Sequence, residues 1–262
     1  MFLQLEGKHF FITGVANKKS IAYFVAKGIL DNGGKVSLSI QSEEQRVKVE
    51  KLFPNAPIYV CDVESESSLN NLSQQLKAAN QQFDGFLHSI AFANFSEGIK
   101  PFHETKTADF LQATNISCFS LVSLSKVLKD FLKEDAAVVA LSISNTTAVS
   151  YGYLGPIKAA LEHAVIYLAK SFSEFSRIRF NAVCAGPLKT SASAGIPGYV
   201  NNYLYAEKLT LRKEALKTPE VANTAIFLLS PASSGINATG VKVDCGMSCN
   251  YFDQDIVNKV MD

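Results

Sequence analysis

His9-Phe10-Phe11-Ile12-Thr13-Gly14-Val15-Ala16-Asn17-Lys18-Lys19-Ser20-Ile21-Ala22 reads as an apolar strand, a glycine turn and the opening of a helix. A strand that feeds a helix through glycine is where a doubly wound sheet holds a pyrophosphate. The glycine lets backbone come close, and the helix N-terminus offers free N–H groups. Ser20 stands where an N-cap belongs, and its hydroxyl can also donate to phosphate. The three-glycine fingerprint of such loops is absent. A plain turn with an N-cap serine accounts for the segment equally well by itself.

Outward from this stretch, short apolar runs alternate with longer helical patterns. Strands are expected near His9–Thr13, Lys35–Ile40, Pro57–Cys61, Gly85–Ser89, Ala137–Ile143, Arg179–Val183 and Gly240–Val243. Helices are expected near Ser20–Asn32, Glu43–Leu52, Glu66–Asn80, Thr107–Leu132, Pro156–Ser173 and Pro219–Leu229. The alternation predicts an α/β fold: a single Rossmann-like doubly wound domain over 1–262, with a mostly parallel seven-stranded sheet and helices on both faces. No composition break or internal repeat divides the chain. One long connection, from Ala185 to about Tyr205, is rich in Gly, Ala, Ser and Tyr. Long connections inside compact domains often serve as lids, here near 188–206.

The 262 residues are 47% hydrophobic, enough for a substantial core, and the net charge is +1. That balance predicts no nucleic-acid partner and no membrane partner. The apolar runs fall short of a membrane span. The N-terminus lacks a basic segment followed by an apolar one, so no signal peptide is expected. Cys61, Cys118, Cys184, Cys245 and Cys249 make an odd set without a Cys-x-x-Cys pair. Free thiols in a reducing cytosol are the economical reading. His9, His88, His103 and His163 are scattered, so no metal site is expected.

The chemistry points to Tyr151-Gly152-Tyr153-Leu154-Gly155-Pro156-Ile157-Lys158. Tyr151 and Lys158 lie about two helical turns apart, which puts them on nearly one face. A phenol beside an ammonium supplies a proton donor and a cation that lowers the phenol's pKa. Tyr153 falls roughly 140° away from Lys158 around the helix. Pro156 fits only a first turn, so the helix starts near Tyr153 and Tyr151 sits on the lip before it. Unaccompanied, such a pair is more often ordinary surface.

The other strand ends fit a dinucleotide. Gln41 ends the second strand, and Glu43 and Glu44 follow with no cation before Arg46. Carboxylates there repel a 2′-phosphate, which favours NADH over NADPH; acidic residues at a solvated helix start are an alternative account. Asp62, before Val63, can accept from an adenine amino group or simply cap its loop. Ser89, Ile90 and Ala91 offer small side chains where a nicotinamide ribose packs.

Together these segments resemble the NADH-dependent enoyl-acyl-carrier-protein reductases of bacterial fatty-acid synthesis (the FabI type), a divergent branch of the short-chain dehydrogenase/reductases. The resemblance covers nearly the whole chain. It is carried by Ile12 to Ala16 with Ser20-Ile21-Ala22-Tyr23, by Phe83-Asp84-Gly85-Phe86-Leu87-His88-Ser89-Ile90-Ala91-Phe92-Ala93, by Tyr151 to Glu162, and by Ile178 to Val183 with Ala185-Gly186-Pro187. Ordinary short-chain dehydrogenases place the tyrosine three residues nearer the lysine; that position here is Leu154, which cannot donate a proton. The resemblance implies reduction of a trans-2-enoyl thioester by NADH, with Tyr151 holding the enolate oxygen and Lys158 binding the nicotinamide ribose. It implies that Gly14, Val15, Ser20, Ile21, Gln41, Asp62, Val63, Ser89, Ile90, Ala91, Leu188 and Thr190 line the dinucleotide. The acyl side would be formed by Ala91, Ile143, Leu154 and Pro187, with Ala192, Ile196 and Tyr199 in the lid. It also implies an acyl-carrier-protein substrate, a cytoplasmic enzyme and a homotetramer.

Two departures stand out. The family carries a second tyrosine after the fifth strand, where this chain reads Leu141-Ser142-Ile143-Ser144-Asn145-Thr146. Ile143 takes that place, and Ser142 and Ser144 either substitute for the missing hydroxyl or satisfy backbone at the strand end. Acidic carrier proteins call for basic residues at the portal, yet the lid from Ala192 to Ala206 has no Lys or Arg; Lys189, Lys208, Arg212 and Lys213 only flank it. A divergent enzyme acting on an enoyl-CoA or another carbonyl is therefore a second reading. A non-catalytic nucleotide-binding homologue is a third, which the intact Tyr–Lys pair disfavours.

Overall fold

The computed structural model describes residues 2–190 and 193–261. Strands β1 (His9–Thr13), β2 (Lys35–Ile40), β3 (Ile58–Val60), β4 (Phe83–His88), β5 (Leu132–Ile143), β6 (Arg179–Ala185) and β7 (Thr239–Val243) form one sheet in the order β3-β2-β1-β4-β5-β6-β7. Each neighbouring pair is parallel. The crossovers carry α1 (Ile21–Asp31), α2 (Arg46–Glu50), α3 (Glu66–Ala78), α4 (Thr107–Thr114), α5 (Ser120–Leu128), α6 (Leu154–Ser173), α7 (Tyr199–Leu209) and α8 (Thr218–Leu229); α9 (Gln254–Met261) follows β7.

Both faces of the sheet are covered, which is why its strands are almost unbroken apolar runs. Adjacent residues on β1 split between two cores. Phe11 joins Phe83, Phe86, Leu161 and Phe180 under α3, α5 and α6. Phe10 and Ile12 join Val25, Ile29, Leu38 and Ala225 under α1 and α8. Each such side chain contributes about 1.5–3 kcal/mol by leaving water, so packing on the sheet, more than local propensity, holds the crossovers.

The strand order reverses between β1 and β4, which opens a crevice at the carboxyl ends of those strands. Their loops close tightly there. Thr13 Oγ1 donates to Leu87 O (3.0 Å) and accepts from Ser89 N (3.1 Å). Gly14 has φ +83°, and a Cβ on it would lie 1.9 Å from Ser89 O. The glycine is thus required by the neighbouring loop itself.

The structure departs from the sequence expectation in four elements, one of which, α9, has no counterpart among the expected helices. The single helix expected over Thr107–Leu132 is α4, a π-helical segment Asn115–Phe119, α5 and a 3-10 turn, and β5 already begins at Leu132. The π segment lets Ser117 Oγ clamp the loop after β4, accepting from Phe92 N and donating to Phe92 O, both at 2.8 Å. The helix expected over Glu43–Leu52 is a 3-10 turn, Glu43–Gln45, and the short α2. The connection after β6 contains α7, a helix anchored by the buried Tyr203 and Ala206.

Candidate active site

Lys158 lies in α6, only 5% exposed, and its Nζ donates to Leu141 O at 2.9 Å. Burial pulls its pKa down to about 8, against weaker pulls upward from Cys118, Glu162 and Cys184. Tyr151 ends a 3-10 turn, Val149–Tyr151, and Gly152 follows at φ +64°. Tyr151 is therefore on the lip before the helix, as expected. The same-face argument fails, because no continuous helix joins residues 151 and 158. The expected lowering of the phenol's pKa fails too: burial and then Tyr199 push it up to about 12. At neutral pH Tyr151 is a neutral donor beside the lid.

Tyr153 is the N-cap residue of α6, and its hydroxyl donates to Asn94 O at 2.9 Å while its ring packs on Phe95 and Phe110. It holds a loop in place. Ser142 Oγ donates to Glu162 Oε1 at 2.6 Å, so its hydroxyl is engaged with α6. Ile143 ends β5 half-buried, paired with Ala185.

The lid closes on itself through Leu188 N, which donates to Tyr199 Oη at 2.8 Å, and through Thr190 N, which donates to Ser193 Oγ at 2.9 Å. Thr190, Ile196 and Tyr199 line a cavity of about 540 Å³ together with Lys19 and Lys189. Lys189 Nζ lies 4.4 Å from the centre of the Tyr203 ring. Tyr151 and Lys158 are not among the walls of this cavity; Tyr151 meets the lid through Tyr199. Pro187 instead shares a smaller cleft with Tyr203 and Ala206, while Leu154 is buried at the start of α6. Ala192 lies outside the described residues.

At the first loop, Ser20 has extended N-cap backbone, but its hydroxyl donates to Asn17 O (2.7 Å) and makes no cap to the helix. The α1 N-terminus thus keeps its N–H groups free of a side-chain cap, which suits an anion. Val15 is buried and Ile21 half-buried in the α1 face of the core. Ser89 and Ile90 are half-buried and Ala91 exposed at the end of β4. Gln41 and Asp62 stand apart, at the β2–β3 edge. Gln41 N donates to Gln45 Oε1 (3.3 Å). Asp62 Oδ1 accepts from Glu64 N (3.1 Å), the loop-capping alternative, and Val63 packs against the core. Glu43 holds Arg46 with two hydrogen bonds, one of 2.9 Å from Nη2, and Arg46 also donates to Ile58 O.

Sequence reasoning missed Lys19 and His88, and read Lys189 only as a flanking cation, not as a wall of the same cavity as Lys19. The two lysines flank residues already singled out, so their charge was the available signal. His88 is fully buried and pulled down to about 3 by burial and then by Lys158. Ser120 Oγ spends its proton on Ile116 O, so neutral His88 donates to it through Nε2 at 2.7 Å. No sequence pattern announces that pair. Among the described residues no cluster of His, Cys, Asp and Glu is arranged to hold a metal.

A seven-stranded parallel sheet in the order β3-β2-β1-β4-β5-β6-β7, with a glycine turn at its switch point, defines a Rossmann-type fold of the short-chain dehydrogenase class. Comparison with known proteins narrows it. The family description "Enoyl-(Acyl carrier protein) reductase" matches residues 14–248. The enoyl-[acyl-carrier-protein] reductase [NADPH] FabI of Staphylococcus aureus (strain MRSA252) is 36% identical over 251 residues, 93% of this chain and 98% of that protein. The enoyl-[acyl-carrier-protein] reductase [NADH] FabI of Escherichia coli (strain K12) is 31% identical, covering 93% and 95%. The crystal structure of the Aquifex aeolicus VF5 enoyl-[acyl-carrier-protein] reductase (NADH) superposes with a TM-score of 0.88 at 32% identity, covering 93% of this chain and 97% of that one. The chain belongs to the enoyl-(acyl carrier protein) reductase family.

Proposed function

We propose that this protein reduces trans-2-enoyl thioesters, carried by acyl carrier protein, to acyl thioesters with NADH in bacterial fatty-acid synthesis. The observation that carries the reading is a neutral Tyr151 at the lid and a buried Lys158 at the same end of the sheet. NADH, when bound, supplies the hydride to the β-carbon. Tyr151 donates its O–H to the thioester oxygen as negative charge gathers there, an effect commonly worth roughly 3 kcal/mol in a dry site. Lys158 holds the nicotinamide ribose. The residues around the switch point fit the dinucleotide: Gly14 and the uncapped N-terminus of α1 would receive its pyrophosphate, and Lys19 and Lys189 would add positive charge. The lid excludes water from the acyl chain.

NADH is the preferred cofactor in this reading because Glu43 already neutralises Arg46, the first cation after β2. A homotetramer is supported by the outward apolar residues of α6, Ile166 and Tyr167 (76% exposed), and by the exposed Val260 and Met261 of α9. A cytoplasmic setting accords with five free cysteines. Separately, no helix among the described residues is long and apolar enough to cross a membrane.

An enoyl-CoA substrate is the second reading, raised by the pairing of cations at the portal that a carrier protein would need. Arg212 is held by Glu220 (2.6 Å), Lys213 by Asp253, and Lys189 lies over Tyr203. Of the cations flanking the lid, these ion pairs leave Lys189 and Lys208 to receive an acidic carrier. NADH oxidation with enoyl-acyl-carrier-protein and enoyl-CoA measured side by side decides between them. Faster turnover of the carrier substrate supports the first reading; turnover of neither overturns both.

A further inference from the structure

Glu162 stands one helical turn beyond Lys158 on α6, so the two side chains leave the helix on the same side. Lys158 reaches Leu141 O on β5, and Glu162 takes the hydroxyl of the next residue, Ser142, at 2.6 Å. The Cys184 thiol lies opposite Ser142 on β6, and the same carboxylate, after burial, raises its pKa. Space for these groups depends on β7. A Cβ on Gly240 would lie 2.8 Å from Cys184 Sγ and 3.9 Å from Glu162 Oε2.

We propose that Glu162 is a positioning residue for Lys158: its carboxylate is the counter-charge that keeps the Lys158 ammonium formed in a water-poor site, and its bond to Ser142 fixes the strand end that receives the ammonium. The other groups that face Lys158 cannot take this part. They are His88 from β4, Cys118 from the π segment and Cys184 from β6. His88 is held neutral, burial raises the Cys118 thiol, and burial with Glu162 pushes the Cys184 thiol up to about 12. Lys242 on β7 acts on Cys184 and carries the wrong sign for the task. Glu162 is the carboxylate of the group, and it opposes the burial that pulls Lys158 down to about 8.

The consequence for turnover rests on the reductase reading, but the pairing is measurable without it. Glu162→Gln keeps an oxygen for Ser142 and removes the charge. In ligand-free protein with lysine-selective ¹³C labelling, the Lys158 signal is assigned by its loss in Lys158→Arg and titrated. The expected midpoint falls by about one pH unit in Glu162→Gln, as removal of a nearby opposite charge requires. Glu162→Asp, with the charge kept but one methylene shorter, gives an intermediate midpoint and is the deciding variant if the amide does not fold. The alkaline limb of kcat/KM should move with the midpoint in Glu162→Gln. An unmoved midpoint in the folded variant overturns the proposal whatever the activity. A shifted midpoint in a protein that turns over no enoyl thioester upholds the pairing and overturns the reductase reading instead.

Discussion

The Tyr151 phenol is held neutral by burial and by nearby Tyr199, whereas the hydroxyl of Tyr153, two residues on, is spent on Asn94 O at 2.9 Å. The two Tyr→Phe substitutions should therefore separate chemistry from stability. Tyr151→Phe should leave NADH binding intact and slow enoyl-thioester reduction about tenfold to a thousandfold, the range for losing one oxyanion donor when a ribose hydroxyl can still donate. Tyr153→Phe should keep nearly full turnover and lose about 1 kcal/mol of stability in a denaturant titration, the usual net worth of such a bond. The reverse pattern would assign catalysis to Tyr153. Lys158 adds a pH signature. Its ammonium is the form present below about 8, so kcat/KM should fall as pH rises through that value. Lys158→Ala should both weaken NADH binding and slow turnover; wild-type affinity and rate in that variant would remove the lysine from the site.

The turn between β2 and α2 and the lid helix α7 each act as a unit. At the turn, the proposed NADH preference rests on an ion pair: hydrogen bonds from Arg46 hold the Glu43 carboxyl below its usual value, and Glu43 raises Arg46 in return. Wild-type protein should bind NADH more tightly than NADPH at low salt. Glu43→Gln should narrow that gap by freeing Arg46 for a 2′-phosphate. Tighter NADPH binding by the wild type would refute the assignment. In the lid, α7 buries only Tyr203 and Ala206 while Val200, Leu204 and Tyr205 stay exposed. An element with so little buried contact belongs to the low-stability end of the molecule. Amide hydrogen exchange over Tyr199–Leu209 should slow when NADH and an enoyl analogue are bound together, and unchanged exchange would argue against a lid.

Across the whole molecule, the amino ends of the strands serve stability and the carboxyl ends serve chemistry. Asp84 joins Lys133 (2.8 Å), Lys8 (3.1 Å) and the His9 N–H (2.9 Å) at the amino ends of β1, β4 and β5. Burial alone would raise its pKa, but the bonds to Lys133, His9 and Lys8 outweigh burial and lower it. A carboxyl depressed on folding stabilises the protein above its unfolded value, about 3.9, and that contribution is lost as pH falls through the lower folded value. Asp84→Asn should cost about 1–3 kcal/mol at pH 7 and flatten the acid side of the stability profile; an unchanged profile would show the cluster to be inert. The strands, the switch-point glycine and the place of Tyr151 just before α6 were legible in the residues because each is written locally, in a buried apolar run or a short motif. Tertiary structure alone decided the rest. Ser117 reaching Phe92 selects the π segment that breaks the expected long helix, and burial of Tyr203 and Ala206 beside Pro187 and Leu216 anchors α7. Lys19 and Lys189 meet at one cavity although 170 residues separate them. The charge on Lys158 depends on water excluded by strands far away in the chain, and no local pattern encodes that exclusion.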